Sequence, residues 1–181
     1  DGVVLEPTQL HRIGLLLNSS RRLSTDFEQR GQSREGPYAE LTSIAQLLVS
    51  RREIEDRIGR CVDAEGRVLD GASRELKRIR DKLRGAHARI VRKLEAFART
   101  LPERIAVADG SVTIREGRYV IPVRREGKGE VGGIVHDESQ SGATLFVEPP
   151  VAIGLMNEVR DLERELQREI RRVLGELTAE I

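Results

Sequence analysis

A chain of 181 residues allows one domain or two small ones. It is 38% hydrophobic, 34% charged and 3% aromatic, with no Trp, two Tyr and three Phe. That argues against a compact core of large rings and points to long amphipathic helices. Its 31 basic and 30 acidic residues nearly cancel, so overall charge predicts neither nucleic-acid nor membrane binding, and any such signal must be local.

The chain opens on Asp1 with no initiator Met and no basic signal-peptide start, so it is expected to be an internal piece of a longer protein. Glu6-Pro7-Thr8 is a helix start, and Leu10, Ile13, Leu16, Leu17, Leu23 and Phe27 carry an apolar stripe to about residue 30. Residues 31–37 read as a loop. Tyr38 to about Ile58 reads as a second helix, with Leu41, Ile44, Leu47, Leu48, Ile54 and Ile58 as its apolar face. Cys61 is the only cysteine, which excludes an intrachain disulfide and suggests a small buried residue. Residues 61–70 read as a short hairpin or ordered loop around Asp63-Ala64-Glu65-Gly66.

Ser73 is a good N-cap for a long third helix. Leu76, Ile79, Leu83, Ala86, Ile90, Leu94, Phe97 and Leu101 recur at spacings of three and four, up to Pro102. From Pro150 a similar stripe returns in Leu155, Val159, Leu162, Leu166, Ile170, Val173, Leu177 and Ile181. Between them lie four strand candidates, at 111–114, 118–123, 131–135 and 143–147, with Pro122 marking an edge strand or a bulge.

The predicted fold is therefore mainly α with a small β insertion. Two long helices form an antiparallel coiled-coil lever with the β-rich module at its tip. The divisions are 1–73, a helical core part; 74–104, the first lever helix; 105–150, the module; and 151–181, the returning helix. No apolar run is long enough for a transmembrane helix.

Charge is unevenly placed. Residues 74–104 hold eleven basic and four acidic residues, against five and seven in 151–181. Ion pairs across the seam are one reading and a phosphate-facing stripe is the other. In the module, Arg115, Arg118, Arg124, Arg125 and Lys128 are candidate contacts to a sugar-phosphate backbone; a solvated hairpin end is the plainer reading. His136, Ser139 and Ser141 sit in a polar stretch that suits turn chemistry or a phosphate contact. His136 and Asp137 point to opposite faces of a strand, so no catalytic triad is predicted. The three His residues have no ligand spacing, so no metal site is predicted. Gly127-Lys128-Gly129 lacks the Ser or Thr that a phosphate-binding P-loop needs after Lys.

Two stretches are distinctive enough to compare. One is Ile58-x-x-Cys61-Val62-Asp63-x-x-Gly66-x-Val68-Leu69-Asp70-x-Ala72-Ser73-x-x-Leu76-x-x-Ile79-Arg80; the other is Val112-Thr113-Ile114-Arg115-x-x-Arg118-Tyr119-Val120-Ile121-Pro122-Val123, followed by Gly132-Gly133-Ile134-Val135-His136-Asp137-x-Ser139-x-Ser141-Gly142-Ala143-Thr144-Leu145-Phe146-Val147-Glu148-Pro149. Together they resemble the middle region of the second-type bacterial MutS paralogues, the endonuclease MutS-two family, over roughly residues 40–181. The resemblance implies a core, lever and clamp segment of a cytoplasmic homodimer. Its parent would carry an ATPase domain using ATP and Mg, and a Smr nuclease domain. The family is associated with branched DNA, suppression of recombination and rescue of collided ribosomes, so DNA or ribosomal RNA is the implied partner, with no membrane. No catalytic residue and no cofactor of the family falls in this segment. The alternative is a purely structural lever or dimerisation segment with no nucleic-acid affinity of its own.

Overall fold

The computed structural model describes residues 3–30, 39–108 and 110–181. They form two compact units. One takes the described part of Asp1–Lys77 together with Gln167–Ile181; the other is Arg78–Leu166.

In the first unit, α1 (Pro7–Arg30) begins with Pro at its first position, where the missing N–H costs nothing. It packs on α3 (Arg52–Cys61), and Gly14 permits the contact, since a Cβ there would lie 3.0 Å from the Ile58 side chain. The predicted second helix is two pieces. Residues 46–51 break it, leaving α2 (Ala39–Ala45) apart from α3. Of its predicted apolar face, only Ile58 is buried, whereas Leu41, Ile44, Leu47 and Leu48 are exposed. Tyr38 and the loop at 31–37 lie outside the described residues. The turn at 61–70 forms as expected: Val62 bridges Val68, Asp63 Oδ1 accepts from the Glu65 and Arg67 amides, and Gly66 adopts φ 77°. Cys61 is buried, which pushes its thiol pKa up.

Ser73 caps α4 (Arg74–Ala98), its Oγ accepting from the Leu76 amide at 2.9 Å and donating to Glu169 at 2.6 Å. Glu169 lies on α6 (Pro150–Glu180) and also accepts two bonds from Arg172. Those bonds, Arg172 first, hold its carboxyl at a pKa of about 2. Glu55 is held at about 2 as well, by Arg21 and then Asn18. Both values lie below the ordinary 4.5. Folding is therefore favoured by these two groups above pH 4.5, and that contribution is lost as pH falls from there towards 2. In denaturation series from pH 6 to 2, the midpoint is expected to drop through that window. A Glu55→Gln, Glu169→Gln double variant should be less stable at pH 6 and show a flatter profile. An unchanged profile would refute the assignment.

The second unit holds a four-stranded antiparallel sheet of β1 (Thr113–Arg115), β2 (Arg118–Arg124), β3 (Ile134–Glu138) and β4 (Thr144–Glu148), in spatial order β1-β2-β4-β3. β2 pairs β4 with Pro122 opposite Phe146. Pro122 thus stands in an interior strand. It lies past the end of the β1 ladder, which stops at Val120, and before the bridge from Ala106 to Val123, so its missing donor leaves no ladder bond unmade. Residues 125–131 are helical, a 3-10 turn running into the short α5 (Lys128–Val131), so the strand expected from 131 begins at Ile134. Gly133 (φ 83°) must be glycine, because a Cβ would come within 2.1 Å of the Glu148 carbonyl.

The long coiled-coil lever with a module at its tip is not what the chain forms. In the second unit, Ala86, Ile90 and Leu94 of α4 and Ala152, Met156 and Val159 of α6 share one buried cluster with Ile121, Val123, Leu145 and Val147 of the sheet. The returning stripe faces inward along most of its length: Val159, Val173 and Leu177 are buried and Leu155 and Leu162 pack against the cluster, whereas Ile181 is 54% exposed. The physical reason is that a 3–4 apolar spacing marks one buried face of a helix without naming its partner. Here that partner includes a sheet. A mainly α chain with a small antiparallel sheet is what remains of the prediction.

Candidate nucleic-acid interface

The sheet positions the five predicted cations, but unequally. Arg118 opens β2 and is 6% exposed. Its Nε donates to Glu148 Oε2 at 2.9 Å and its Nη2 to Oε1. Glu148 is fully buried at the end of β4. His136 Nε2 lies 2.8 Å from the same Oε2. Its Nδ1 lies 4.0 Å from Glu116. Arg118 and Glu148 therefore form a buried ion pair with the part-buried His136 ring beside it, joining β2, β4 and β3. Arg118 is spent within the fold and is not presented to a phosphate.

Arg115 lies over the Phe146 ring, 4.4 Å from its centroid, with its Nε 2.9 Å from Asp137 Oδ2. Arg125 donates to the Gly142 carbonyl and to Glu138. Both pairs are half-exposed and open to competition by another anion. Arg124 is exposed, and its Nε donates to the Ala106 carbonyl at 3.1 Å. Lys128 is exposed and has no ion-pair partner among the described residues. Arg124 also lines a cleft with Arg104, Glu126 and Glu130, where Arg104 donates to Glu130 at 2.6 Å.

The serines close the turn between β3 and β4. Ser139 Oγ accepts from the Thr144 amide at 3.1 Å and lies 3.3 Å from Ser141 Oγ, and Gly142 turns at φ 69°. Among the described residues, no group of three His, Cys, Asp or Glu is placed to hold a metal ion.

The residues missed by sequence reasoning are the acidic partners, Glu148, Asp137 and Glu138. Only strand register assigns each to a cation: Arg115 on β1 meets Asp137 on β3, beside Phe146 on β4.

The comparison with known proteins adds what the geometry does not carry. The chain is 40% identical over 178 residues to endonuclease MutS2 of Geobacillus sp. (strain WCH70), which covers 98% of this chain and 23% of that protein. It is 43% identical over 182 residues to endonuclease MutS2 of Gemmatimonas aurantiaca, covering 100% of this chain and 22% of that protein. For endonuclease MutS2 of Pelotomaculum thermopropionicum the identity is 40% over 178 residues, again 22% of its length. The chain is similar to a segment of endonuclease MutS2. It spans less than a quarter of the length of these curated relatives. No protein-family model matches it. Among the described residues, no helix is long and apolar enough to cross a membrane.

Proposed function

We propose that the chain is a nucleic-acid-contacting segment of a MutS2-type protein, with the sheet module of the second unit serving as a clamp on the sugar-phosphate backbone. The observation that carries this is the identity of about 40% across the whole chain to proteins named as endonucleases, which by that name act on a polyanion. Arg124 and Lys128 are the primary contacts, because both are exposed and neither is held by a carboxylate. Arg115 and Arg125 contribute by exchanging Asp137 and Glu138 for phosphate. His136, Ser139 and Ser141 hold the module's shape. The partner is duplex or branched DNA, or ribosomal RNA. The parent works as a cytoplasmic homodimer in suppressing recombination or rescuing ribosomes, and its ATPase and nuclease domains, with ATP and Mg, lie elsewhere in the polypeptide.

The internal pairing of Arg115, Arg118 and Arg125 favours a second reading, a structural segment without affinity of its own. Gel shift of a 30-base-pair duplex at low and moderate salt separates the two. A low-salt shift is expected. An Arg124→Gln, Lys128→Gln variant should lower the log–log salt slope by about 1.8, at roughly 0.9 per phosphate. No shift at low salt would leave the structural reading.

A further inference from the structure

We infer that α4 carries a second backbone-contact surface within the second unit, an exposed stripe of Lys82, Arg89, Arg92 and Lys93 set around Gly85 and Ala96. The inference rests on the nucleic-acid reading above and adds a surface to it. The sheet module is not net cationic: residues 105–150 hold five basic and seven acidic residues, and three of the arginines face carboxylates. Residues 78–98 of α4 instead carry seven basic and two acidic residues.

The stripe is contiguous by helical geometry. Positions 82, 85, 89, 92 and 96 are separated by three, four, three and four, so they lie along one side, and 93 flanks them. That side is distinct from the buried line of Ile79, Ala86, Ile90 and Leu94. Lys82, Arg92 and Lys93 are exposed and have no ion-pair partner among the described residues. Arg89 donates to Glu158 at 2.6 Å, but both side chains are 49% exposed. An exposed pair of that kind contributes about 0.2–1 kcal/mol, little enough for a phosphate to displace it.

Gly85 is the second, independent observation. A glycine inside an exposed helix costs about 1 kcal/mol against alanine. The fold gives no return for that cost. A Cβ at Gly85 would meet nothing within 4 Å, and its φ is not positive. Gly59 and Gly154 are equally open within helices, so the space alone marks no site; Gly85 matters because it lies between the cations of this stripe. With Ala96 it leaves low ground between cations, where a sugar edge can come near the helix backbone.

The occupant is a nucleic-acid backbone. From Lys82 to Lys93 the helix rises about 16 Å, a rigid linear array suited to a polyanion of regular charge spacing. The stripe bears no aromatic residue, so bases are not stacked and sequence is not read.

The test uses the 181-residue chain and fluorescence anisotropy with a labelled 30-base-pair duplex, measured across salt concentrations. A single-stranded oligonucleotide, an RNA duplex and polyglutamate serve as parallel probes. Lys82→Gln, Arg92→Gln, Lys93→Gln should lower the duplex salt slope by about 2.7, at roughly 0.9 per phosphate, with unchanged thermal unfolding. Gly85→Leu should weaken duplex binding at least tenfold while leaving the slope within one unit and the fold intact. Additive losses with the Arg124→Gln, Lys128→Gln variant would support two surfaces. If that variant lowers the slope and the stripe variants do not, the stripe is wrong and the sheet reading stands. If the chain binds no nucleic acid at all, both fail. Polyglutamate bound as tightly as duplex through the stripe would assign it to an acidic protein and overturn the inference.

Discussion

Replacing Glu148 with alanine is expected to destabilise the second unit by about 3–5 kcal/mol, the loss typical of breaking a buried ion pair from one side. The substitution would strand the Arg118 guanidinium, 6% exposed, beside a His136 ring that has lost its hydrogen-bond partner. The Arg118 guanidinium cannot reach water without opening the sheet, whereas the His136 ring, 15% exposed, can; Glu148 meets both from the end of β4. Glu148→Gln should fall between the two, since an amide still accepts one bond but leaves the charge on Arg118 uncompensated. Pairing Arg118→Met with Glu148→Leu should recover part of the loss, by removing both charges together. Urea unfolding followed by circular dichroism supplies the comparison. A Glu148→Ala loss under about 1 kcal/mol would mean that the cluster is solvated and that Arg118 is available to a ligand after all. That result would return Arg118 to the candidate interface, so the stability experiment also bears on function.

This cluster shows where a linear reading stops. Arg118 and Glu148 are thirty residues apart and belong to strands that pair only through one register. Sequence periodicity placed three of the four strands within one or two residues of their true bounds, because β-branched runs between glycine-containing turns carry a local signal. It could not say that Arg118 faces inward, since charge suggests exposure until a buried partner is known. The same limit explains α5. Gly127-Lys128-Gly129 looks like a flexible turn, but a Cβ on Gly127 would come within 2.4 Å of Ile105 Cγ2, so that glycine serves a close packing contact. Ser73, by contrast, was legible as an N-cap, because capping is settled within four residues. Of the five proposed cations, Arg124 and Lys128 are exposed and have no carboxylate partner among the described residues. Arg115, Arg118 and Arg125 have long-range partners that composition reported only as a balance.

Ile90→Ala is expected to cost about 2–5 kcal/mol, the range for truncating a large aliphatic side chain in a packed core. Ile90 is fully buried, and it sits in one cluster with Ile121, Val123, Leu145 and Val147 of the sheet and Met156 of α6. The size of the loss matters less than its distribution. If helices and sheet share one core, a cavity at Ile90 lowers the free energy of opening for all of them. Native-state hydrogen exchange should then show the amides of β2 and β4 losing protection together with those of α4. A two-helix seam carrying a separate module would behave otherwise: the helix would loosen and the sheet would keep its protection. Sheet amides unaffected by Ile90→Ala would therefore refute the shared core. Coupled loss has a consequence for the proposed clamp. A force or ligand acting on the sheet would be felt by α4 through direct packing, and no extended lever is needed to connect them.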